Sequence, residues 1–388
     1  MSARQLARLL LATIGALLIA HSLCSFAFSN LRFSMWFDTV GYAQRLNAEF
    51  AAELAASRDA IATERTLPRH DRSNASFCIA IASAPRAQPH LTVLLGSFLR
   101  GTSAVERRNT RVIVVTAAHE QHAEAESLAA LNGIELLRFD DDVRTTANES
   151  DVLRWRALQT RTITFAAEAC LNHSIRVGHP YFVVLEDDGI LADRFVDRLH
   201  RAMAPICSRG DWVYVKLFAS DFFEGWEVED YYRGVVLLAV WLLAGAVWRL
   251  RGSPTRALVC ALGGSVVWLM VLALGKQNVR LPLAPGLHEL RQHFSSCAHA
   301  YNVAHARELT KFALAASHTL TPNSDIALNK FMRLPGNENL TAFNLVPNLF
   351  QHNGLFSSCT HSSCAKALKL RGNAAQMKQS STFQRHAL

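Results

Sequence analysis

The 388-residue sequence lacks several features that would assign it to a class at once. It has no block of lysine and arginine, although its formal net charge is +8, so it contains nothing like a nucleic-acid-binding arm. It has no CxxC pair and no cysteine and histidine spacing typical of a zinc site. It also has no internal repeats. Half of its residues are apolar, so the chain can bury a sizeable core and is globular, not disordered.

Charge is absent from a long run near the N-terminus. Residues 9–28, "LLLATIGALLIAHSLCSFAF", contain no charged side chain and follow Arg4 and Arg8. A run of this length predicts a bilayer-spanning helix, and the preceding arginines favour a cytosolic N-terminus. The alternative is a cleaved signal peptide, but its apolar core is normally about 7–15 residues long and ends in small residues. We therefore predict an uncleaved signal anchor.

Two further apolar segments lie in the middle of the chain. Residues 234–248 and 257–275 are separated by the basic turn "RLRGSPTR". This arrangement predicts a membrane hairpin whose turn lies in the cytosol. The alternative is a pair of helices buried in a soluble core. The first segment is short for a bilayer of about 30 Å, so the sequence leaves open whether it spans fully.

The predicted topology leaves residues from about 29 to 230 and from about 276 to 388 on the lumenal side of the membrane. The chain's four glycosylation sequons all fall in those two stretches, at Asn74, Asn148, Asn172 and Asn339. Six cysteines lie there too: Cys78, Cys170, Cys207, Cys297, Cys359 and Cys364. In an oxidising compartment six thiols can form up to three disulfides, whose pairing the sequence does not assign.

Apolar runs of strand length alternate with helical patterns from Phe77 onward. The runs are "FCIAIASAP", "RVIVVTA", "IELLRF", "YFVVLEDD" and "DWVYVKLF". Such alternation predicts βαβ units and a mostly parallel sheet in an α/β domain. Later segments predict a strand or loop entering a helix ("CAHAYNVAHARELTKFAL"), a capped helix ("TPNSDIALNKFM") and a strand followed by a loop ("PNLFQHNGLFSS").

An acidic triplet ends one of the apolar runs. In "FVVLEDDGIL", Glu186, Asp187 and Asp188 directly follow a strand-like stretch, and ligands in parallel sheets collect at the carboxyl ends of strands. Carboxylate oxygens suit Mg²⁺ or Mn²⁺, which also bind substrate phosphates and can neutralise a diphosphate leaving group. The alternative is a solvated turn at the end of a strand.

These features together resemble a type A (GT-A) glycosyltransferase. The anchor, the stem and the "VVLEDD" strand end are similar to those of that superfamily, whose short acidic motif holds Mn²⁺ and the nucleotide diphosphate. The "DWVYVKL" strand, the inserted hairpin and the late "PNLFQHNGLFSS" segment resemble the GPI N-acetylgalactosaminyltransferase family. These Golgi enzymes add GalNAc to the first mannose of the GPI glycan. The late segment also resembles N-acetylglucosaminyltransferase IV, which lacks the hairpin.

The resemblance covers roughly residues 77–365 and implies roles for the triplet. Glu186, Asp187 and Asp188 would bind the metal and the donor diphosphate. Asp188 is the first choice of direct metal ligand, with Glu186 reaching the ribose or the metal. His352 would complete the metal site, and its alternative is an ordinary loop histidine.

The resemblance and the residue types suggest three more site residues. Asp325 is a candidate for the base that deprotonates the acceptor hydroxyl, or else an acid that caps a helix. Arg86 and Lys216 could pair with the donor phosphates, or else have structural roles. The implied cofactors are Mn²⁺ (or Mg²⁺) and a UDP-sugar donor.

The domain prediction divides the chain as follows: cytosolic tail 1–8, signal anchor 9–28, stem 29–76, first part of the GT-A domain 77–232, hairpin 233–275 with its turn at 249–256, second part of the GT-A domain 276–365, and tail 366–388. The predicted fold is a Rossmann-like α/β GT-A domain split by the hairpin.

The predicted function is a multi-pass Golgi membrane enzyme that transfers GalNAc from UDP-GalNAc to the GPI glycan, with no nucleic-acid partner. One alternative is an enzyme of the same fold with another UDP-sugar or acceptor, such as an N-glycan-branching N-acetylglucosaminyltransferase. The other is a non-enzymatic multi-pass membrane scaffold.

Overall fold

A computed structural model of the chain describes residues 39–67, 72, 74–86, 88–118, 121–131, 133–140, 151–219, 283–290, 297–318 and 324–352, with scattered helical positions at 15, 19, 21–27, 239, 243, 270, 271 and 274. The chain divides into two compact units. One comprises residues 1–44, 221–282 and 375–377, and the other comprises residues 45–220, 283–374 and 378–388. The helical positions before residue 39 and between 239 and 274 belong to the first unit.

Within these described positions, no helix is long and apolar enough to cross a membrane. The predicted anchor at 9–28 and the predicted hairpin at 233–275 lie mostly outside the described residues. Both therefore stay predictions, as do the domain boundaries drawn from them.

Ten strands lie in the second unit. Their bounds are β1 Phe77–Ala82, β2 Thr110–Ala117, β3 Ile134–Phe139, β4 Tyr181–Glu186, β5 Gly189–Leu191, β6 Trp212–Lys216, β7 Gly286–Glu289, β8 Ala298–Asn302, β9 Thr341–Val346 and β10 Phe350–His352. Eight of them form one sheet in the order β3-β2-β1-β4-β8-β6-β9-β7, while β5 and β10 pair separately. The large sheet therefore contains strands from both sides of the segment 220–282.

The sheet is mixed and mostly parallel, which confirms the predicted α/β class. Strand β1 runs parallel to both β2 and β4, β2 runs parallel to β3, and β6 runs parallel to β9. Strands β7 and β8 run in the opposite direction. The order β3-β2-β1-β4 is that of one half of a doubly wound, Rossmann-like sheet.

Eight helices accompany the strands in the described part of the chain. Their bounds are α1 Thr39–Arg65, α2 His90–Gly101, α3 Ala104–Asn109, α4 Ala123–Ala129, α5 Asp151–Val177, α6 Phe195–Met203, α7 Val303–Ser317 and α8 Ser324–Met332. Residues of α2, α4 and α6 pack in the core on one face of the sheet, and residues of α5, α7 and α8 pack on the other.

Strand β1 shows how the sequence builds these two cores. Phe77, Ile79 and Ile81 point to the α2 face, whereas Cys78, Ala80 and Ala82 point to the α5 face. Alternate side chains of a strand point to opposite faces, so a strand covered on both sides is apolar throughout. The larger side chains on the α2 face and the smaller ones on the α5 face set how closely each helix layer approaches.

Helix α1 lies in the predicted stem and packs against the domain. Ser57 of α1 lies so close to Gly96 of α2 that a Cβ on Gly96 would overlap the serine side chain. Arg100 binds the Glu53 carboxylate at 2.5 Å, and the Phe50 ring lies 5.0 Å from the His90 ring. The second half of α1 is therefore part of the helical layer on the α2 face.

A disulfide links the sheet to α5. Cys78 of β1 is bonded to Cys170, and both side chains are fully buried. This is one of the disulfides that the cysteine count allowed. Cys207 has no disulfide in this structure, and Cys359 and Cys364 lie outside the described residues.

We expect replacement of the disulfide to destabilise the domain. The bond closes a sequence separation of 92 residues, and loops of this size typically give about 2–4 kcal/mol of stabilisation. The double variant Cys78→Ala/Cys170→Ala should lower the free energy of unfolding in urea by that amount. Cys207→Ala is the matched control and should change it by less than about 1 kcal/mol. Equal effects of the two substitutions would contradict the assigned role of the disulfide.

Stability should also fall in mild acid because of buried His173. Its Nε2 donates to the Ala75 carbonyl at 2.7 Å, and its Nδ1 accepts from the guanidinium groups of Arg111 and Arg176. Burial lowers the pKa of His173, and the two arginines lower it further. The unfolded chain therefore takes up a proton below about pH 6.5 that the folded chain excludes.

The expected result is a free energy of unfolding that decreases as the pH falls below about 6.5. His173→Gln keeps an acceptor and a donor without a titrating group, and should make this dependence shallower between pH 6.5 and 5, while other buried histidines still contribute to it. The measurement is urea unfolding at each pH, with His288→Gln as the control. An unchanged slope in His173→Gln would show that other groups cause the dependence.

Candidate functional site

The acidic triplet lies where the strand order of the sheet reverses. Strand β1 is followed by a connection that leads to α2 on one face, and β4 is preceded by α5 on the other face. The carboxyl ends of β1 and β4 lie side by side, with Ala82 paired to Glu186. In open α/β sheets ligands bind in the crevice at such a switch point.

Asp187 ties the two strand ends together. Its Oδ2 accepts hydrogen bonds from the Ser83 hydroxyl at 2.6 Å and the Ala84 backbone N–H at 3.2 Å. Its Oδ1 lies 2.8 Å from Nη2 of Arg86. Since all three partners follow β1, the buried Asp187 carboxylate fixes the loop between β1 and α2 against the end of β4.

His122 extends this contact toward α4. Its Nδ1 accepts the backbone N–H of Ala125, so its Nε2 carries the proton and donates to Ser83 Oγ at 2.8 Å. The Ser83 hydroxyl therefore donates its own proton to the Asp187 carboxylate. Burial lowers the pKa of His122, which favours the neutral ring that this chain of hydrogen bonds requires.

Sequence reasoning did not identify Ser83 or His122 as site residues. The position of Ser83 directly after β1 was the one available signal for the serine. His122 carried no such signal, because it directly precedes α4, which begins at Ala123, and ends no apolar run. His122 is in fact the residue that caps it.

Asp188 contacts His352, which lies near the end of the domain in sequence. Its Oδ2 lies 3.0 Å from Nη1 of Arg86 and 3.1 Å from Nε2 of His352. His352 is carried by β10, where it pairs with Gly189 of β5. The structure thus brings together Asp188, His352 and Arg86, which the sequence had singled out separately.

Arg86 supplies the positive charge of this group. Its side chain is only 11% exposed. Burial acts to lower the pKa of Arg86, but the carboxylates of Asp187 and Asp188 outweigh it and the pKa is raised. Arg86 is therefore charged at every pH at which the protein is folded.

Glu186 points to the α5 face, away from Asp187 and Asp188. Burial and then the charge of Asp188 raise the pKa of Glu186 to about 8. This shift favours the protonated form of the Glu186 carboxyl group. Beside it is a pocket that Ser83, Arg86, Gln159 and Thr162 also line.

Lys216 and Asp325 belong to a second polar group on the α5 face. Lys216 ends β6 and pairs with His299 of β8, whose Nδ1 lies 3.0 Å from the Tyr301 hydroxyl. Burial lowers the pKa of Lys216 to about 8, while the Asp325 carboxylate acts against that shift. The charge of Asp325, in the first turn of α8, also raises the pKa of Glu186.

The N-terminus of α2 also borders the site. His90 is its first residue, and burial lowers the pKa of His90 while the charge of Asp188 acts to raise it. The Glu124 carboxylate accepts from the backbone N–H of Thr92 at 2.7 Å and from its hydroxyl at 2.6 Å. Glu124 thereby satisfies one of the free N–H groups that begin a helix. Neither His90 nor Glu124 was predicted.

The glycosylation sequons can be located in part. Asn74, Asn172 and Asn339 are exposed, and Asn148 lies outside the described residues. Exposure is required for an attached glycan, so three of the four sequons are sterically available. Their glycosylation stays a prediction.

The fit of a metal ion rests on Asp188 and His352. Among the residues that the structure describes, no group of three or more histidines, cysteines and acids could hold a metal. However, Mg²⁺ bound with a phosphate substrate usually takes only one or two protein carboxylates and completes its shell with phosphate oxygens and water. A carboxylate and an imidazole nitrogen 3.1 Å apart fit this kind of site.

Comparisons with known proteins give little beyond this geometry. No protein-family model matches the chain, and no curated protein matches it. Among solved structures, the chain is similar to the mannosyltransferase PcManGT from Pyrobaculum calidifontis in complex with GDP-Man and Mn²⁺, with a TM-score of 0.24 and 17% identity. The match covers 48% of this chain and 49% of that chain, about half of each. A likeness this low supports no statement about donor or metal.

Gly189 allows the approach of the strand that carries His352. A Cβ at Gly189 would lie 1.9 Å from Cζ of the buried Phe350 ring. We therefore expect Gly189→Ala to separate β5 from β10, and to move His352 away from Asp188. The measurement is the crystal structure of the variant, together with its melting temperature.

Gly210→Ala is the matched control, because nothing lies within 4 Å of a Cβ at that position. It should melt within a few degrees of the wild type. Gly189→Ala should lose about 1–3 kcal/mol of stability. A Gly189→Ala structure with His352 still beside Asp188 would contradict the expected steric role of Gly189.

Proposed function

We propose that this protein is a glycosyltransferase that uses a nucleotide diphosphate sugar as donor. The observation that carries the proposal is the convergence of Asp188, His352 and Arg86 at the switch point between β1 and β4. On the sequence resemblance, the donor is UDP-GalNAc and the acceptor is the first mannose of the GPI glycan. The enzyme then works in the Golgi lumen.

The residues around the crevice suit a diphosphate. Arg86 presents a guanidinium fork, the geometry that binds phosphate oxygens in pairs. The N-terminus of α2 borders the same crevice, and the first turn of a helix attracts anions. A positive group and a helix N-terminus on one side of Asp188 would orient the diphosphate toward that carboxylate.

Asp188 and His352 would hold Mn²⁺ or Mg²⁺. When bound, the cation would act as a Lewis acid that neutralises the charge of the departing diphosphate. Asp187 would contribute indirectly, because its oxygens are engaged by Ser83, Ala84 and Arg86. Its role would be to hold the loop that carries Arg86.

Asp325 would be the base for the acceptor. It would take the proton of the acceptor hydroxyl, whose oxygen then attacks the anomeric carbon of the donor as the bond to the diphosphate breaks. The electron pair of that bond leaves with the diphosphate. The structure places Asp325 with Lys216 on the α5 face, where its charge raises the pKa of Glu186, so this role rests on the sequence resemblance.

The sheet also bears on the predicted membrane topology. Strands β6 and β9 pair although residues 220–282 separate them in sequence. This pairing supports the proposal that both halves of the domain lie in the lumen and that the intervening segment is a hairpin.

The decisive prediction concerns Asp188. Asp188→Asn removes the carboxylate charge at similar volume, and should lower transfer from UDP-GalNAc at least about 100-fold because several kcal/mol of transition-state stabilisation are lost. The measurement is transfer by purified full-length protein to a GPI-glycan acceptor with Mn²⁺ present. Asp211→Asn, at an exposed ion pair with Arg209, is the control and should leave the rate unchanged.

Other donors and acceptors separate the alternatives. Transfer from UDP-GlcNAc to an N-glycan, with none from UDP-GalNAc, would replace the donor and acceptor but keep the transferase. A GalNAc side branch that persists on GPI glycans of cells lacking the protein would contradict the GPI assignment. Full activity of Asp188→Asn would contradict the proposed site.

A further inference from the structure

Arg86 contacts two carboxylates at once. Its Nη2 lies 2.8 Å from Oδ1 of Asp187, and its Nη1 lies 3.0 Å from Oδ2 of Asp188. The acid side chains are 2% and 4% exposed, so each needs a positive partner to stay charged. One guanidinium supplies that partner for both. A cation bound at Asp188 would compete with this arginine for the same oxygen.

We propose that Arg86 is a built-in countercharge that exchanges with the metal and the donor diphosphate. In the ligand-free protein it neutralises Asp187 and Asp188. When the cation and the diphosphate bind together, Arg86 releases Asp188 and donates to the diphosphate instead. This inference rests on the proposed function and concerns how the two ligands depend on each other.

The two carboxylates hold Arg86 differently. Asp187 is fixed by the Ser83 hydroxyl and the Ala84 N–H as well as by Arg86, and Ser83 is itself held by His122. Asp188 Oδ2 instead divides its interaction between Arg86 and His352. Asp187 can therefore keep the arginine tethered while the contact to Asp188 is exchanged.

Arg86 has a further nitrogen, Nε, that contacts neither of the two carboxylates. Its buried Nε–H has no acceptor among the residues that the structure describes. A buried donor without an acceptor is costly, and an anionic oxygen is its strongest partner. One phosphate oxygen could accept from Nε, while Nη1, on the other edge of the guanidinium, donates to a second phosphate oxygen after it leaves Asp188, and Nη2 stays on Asp187.

The exchange predicts positive coupling between the two ligands. The cation alone must displace Arg86 from Asp188 and leave the arginine without that partner. The diphosphate gives Arg86 a new partner and so removes this penalty. By linkage, each ligand then strengthens the binding of the other by the same factor. Without Arg86 the cation alone should bind more tightly, and the coupling should shrink.

The test uses full-length protein in detergent with two probes, Mn²⁺ alone and UDP at saturating Mn²⁺. Mn²⁺ binding is followed by electron paramagnetic resonance and UDP binding by calorimetry. In Arg86→Met, the dissociation constant for Mn²⁺ alone should fall about tenfold, and that for UDP should rise about tenfold or more, the size expected for one charge-assisted interaction. Arg100→Met removes another half-buried arginine, paired with Glu53, and should change neither.

Arg86→Lys provides a second measurement if Arg86→Met does not fold. A lysine can contact only one of the two carboxylates closely, so Mn²⁺ alone should again bind more tightly and UDP more weakly, by smaller factors. Unchanged or weaker binding of Mn²⁺ alone in the folded variants would overturn the exchange while leaving the transferase intact. A wild-type protein that binds neither Mn²⁺ nor UDP would overturn the proposed function as well.

Discussion

The site depends on one buried carboxylate, Asp187, at the point where the strand order of the sheet reverses. A charged carboxylate inside a protein must be surrounded by donors, and every donor that the structure gives Asp187 comes from the chain directly after β1. Satisfying Asp187 therefore fixes the loop between β1 and α2. The positions of Arg86 and of the first turn of α2 follow from that loop.

The second constraint is that the domain is assembled from two separated stretches of chain. Strand β8 inserts antiparallel between β4 and β6, and β9 follows on the far side of β6. The segment after β9 then returns to β4 by pairing β10 with β5. His352 reaches Asp188 only because this small sheet forms, and Gly189 leaves room for it.

Charge balance explains why the acids of the triplet differ from one another. Asp187 and Asp188 share Arg86 and lie on one side of the strand end. Glu186 points to the α5 face, where burial raises its pKa to about 8. Strand β4 ends at Glu186, so strand alternation turns Glu186 to the α5 face but does not apply to Asp187 and Asp188. The result is one carboxylate that anchors a loop, one that faces His352 and one that points to the α5 face.

The strands and helices with a local residue pattern could be predicted from the sequence, and so could several residues of the site. Strands β1, β2, β4 and β6 are largely apolar and buried, because burial on both faces leaves a direct mark on composition. Glu186, Asp187 and Asp188 were found because acids at the end of such a run are unusual. For the short strand β8, "AHAYN", the sequence predicted either a strand or a loop, because polar residues interrupt it.

Which of these residues contact one another depends on the fold of the whole domain. Strand order and the direction of each side chain bring Ser83 and His122 to Asp187. They also place His90 at the border of the site and separate Glu186 from Asp188. A sequence records which groups can bind a proton, a cation or a phosphate. It does not record distances between strands that are far apart in the chain, and those distances decide whether such groups act as one site.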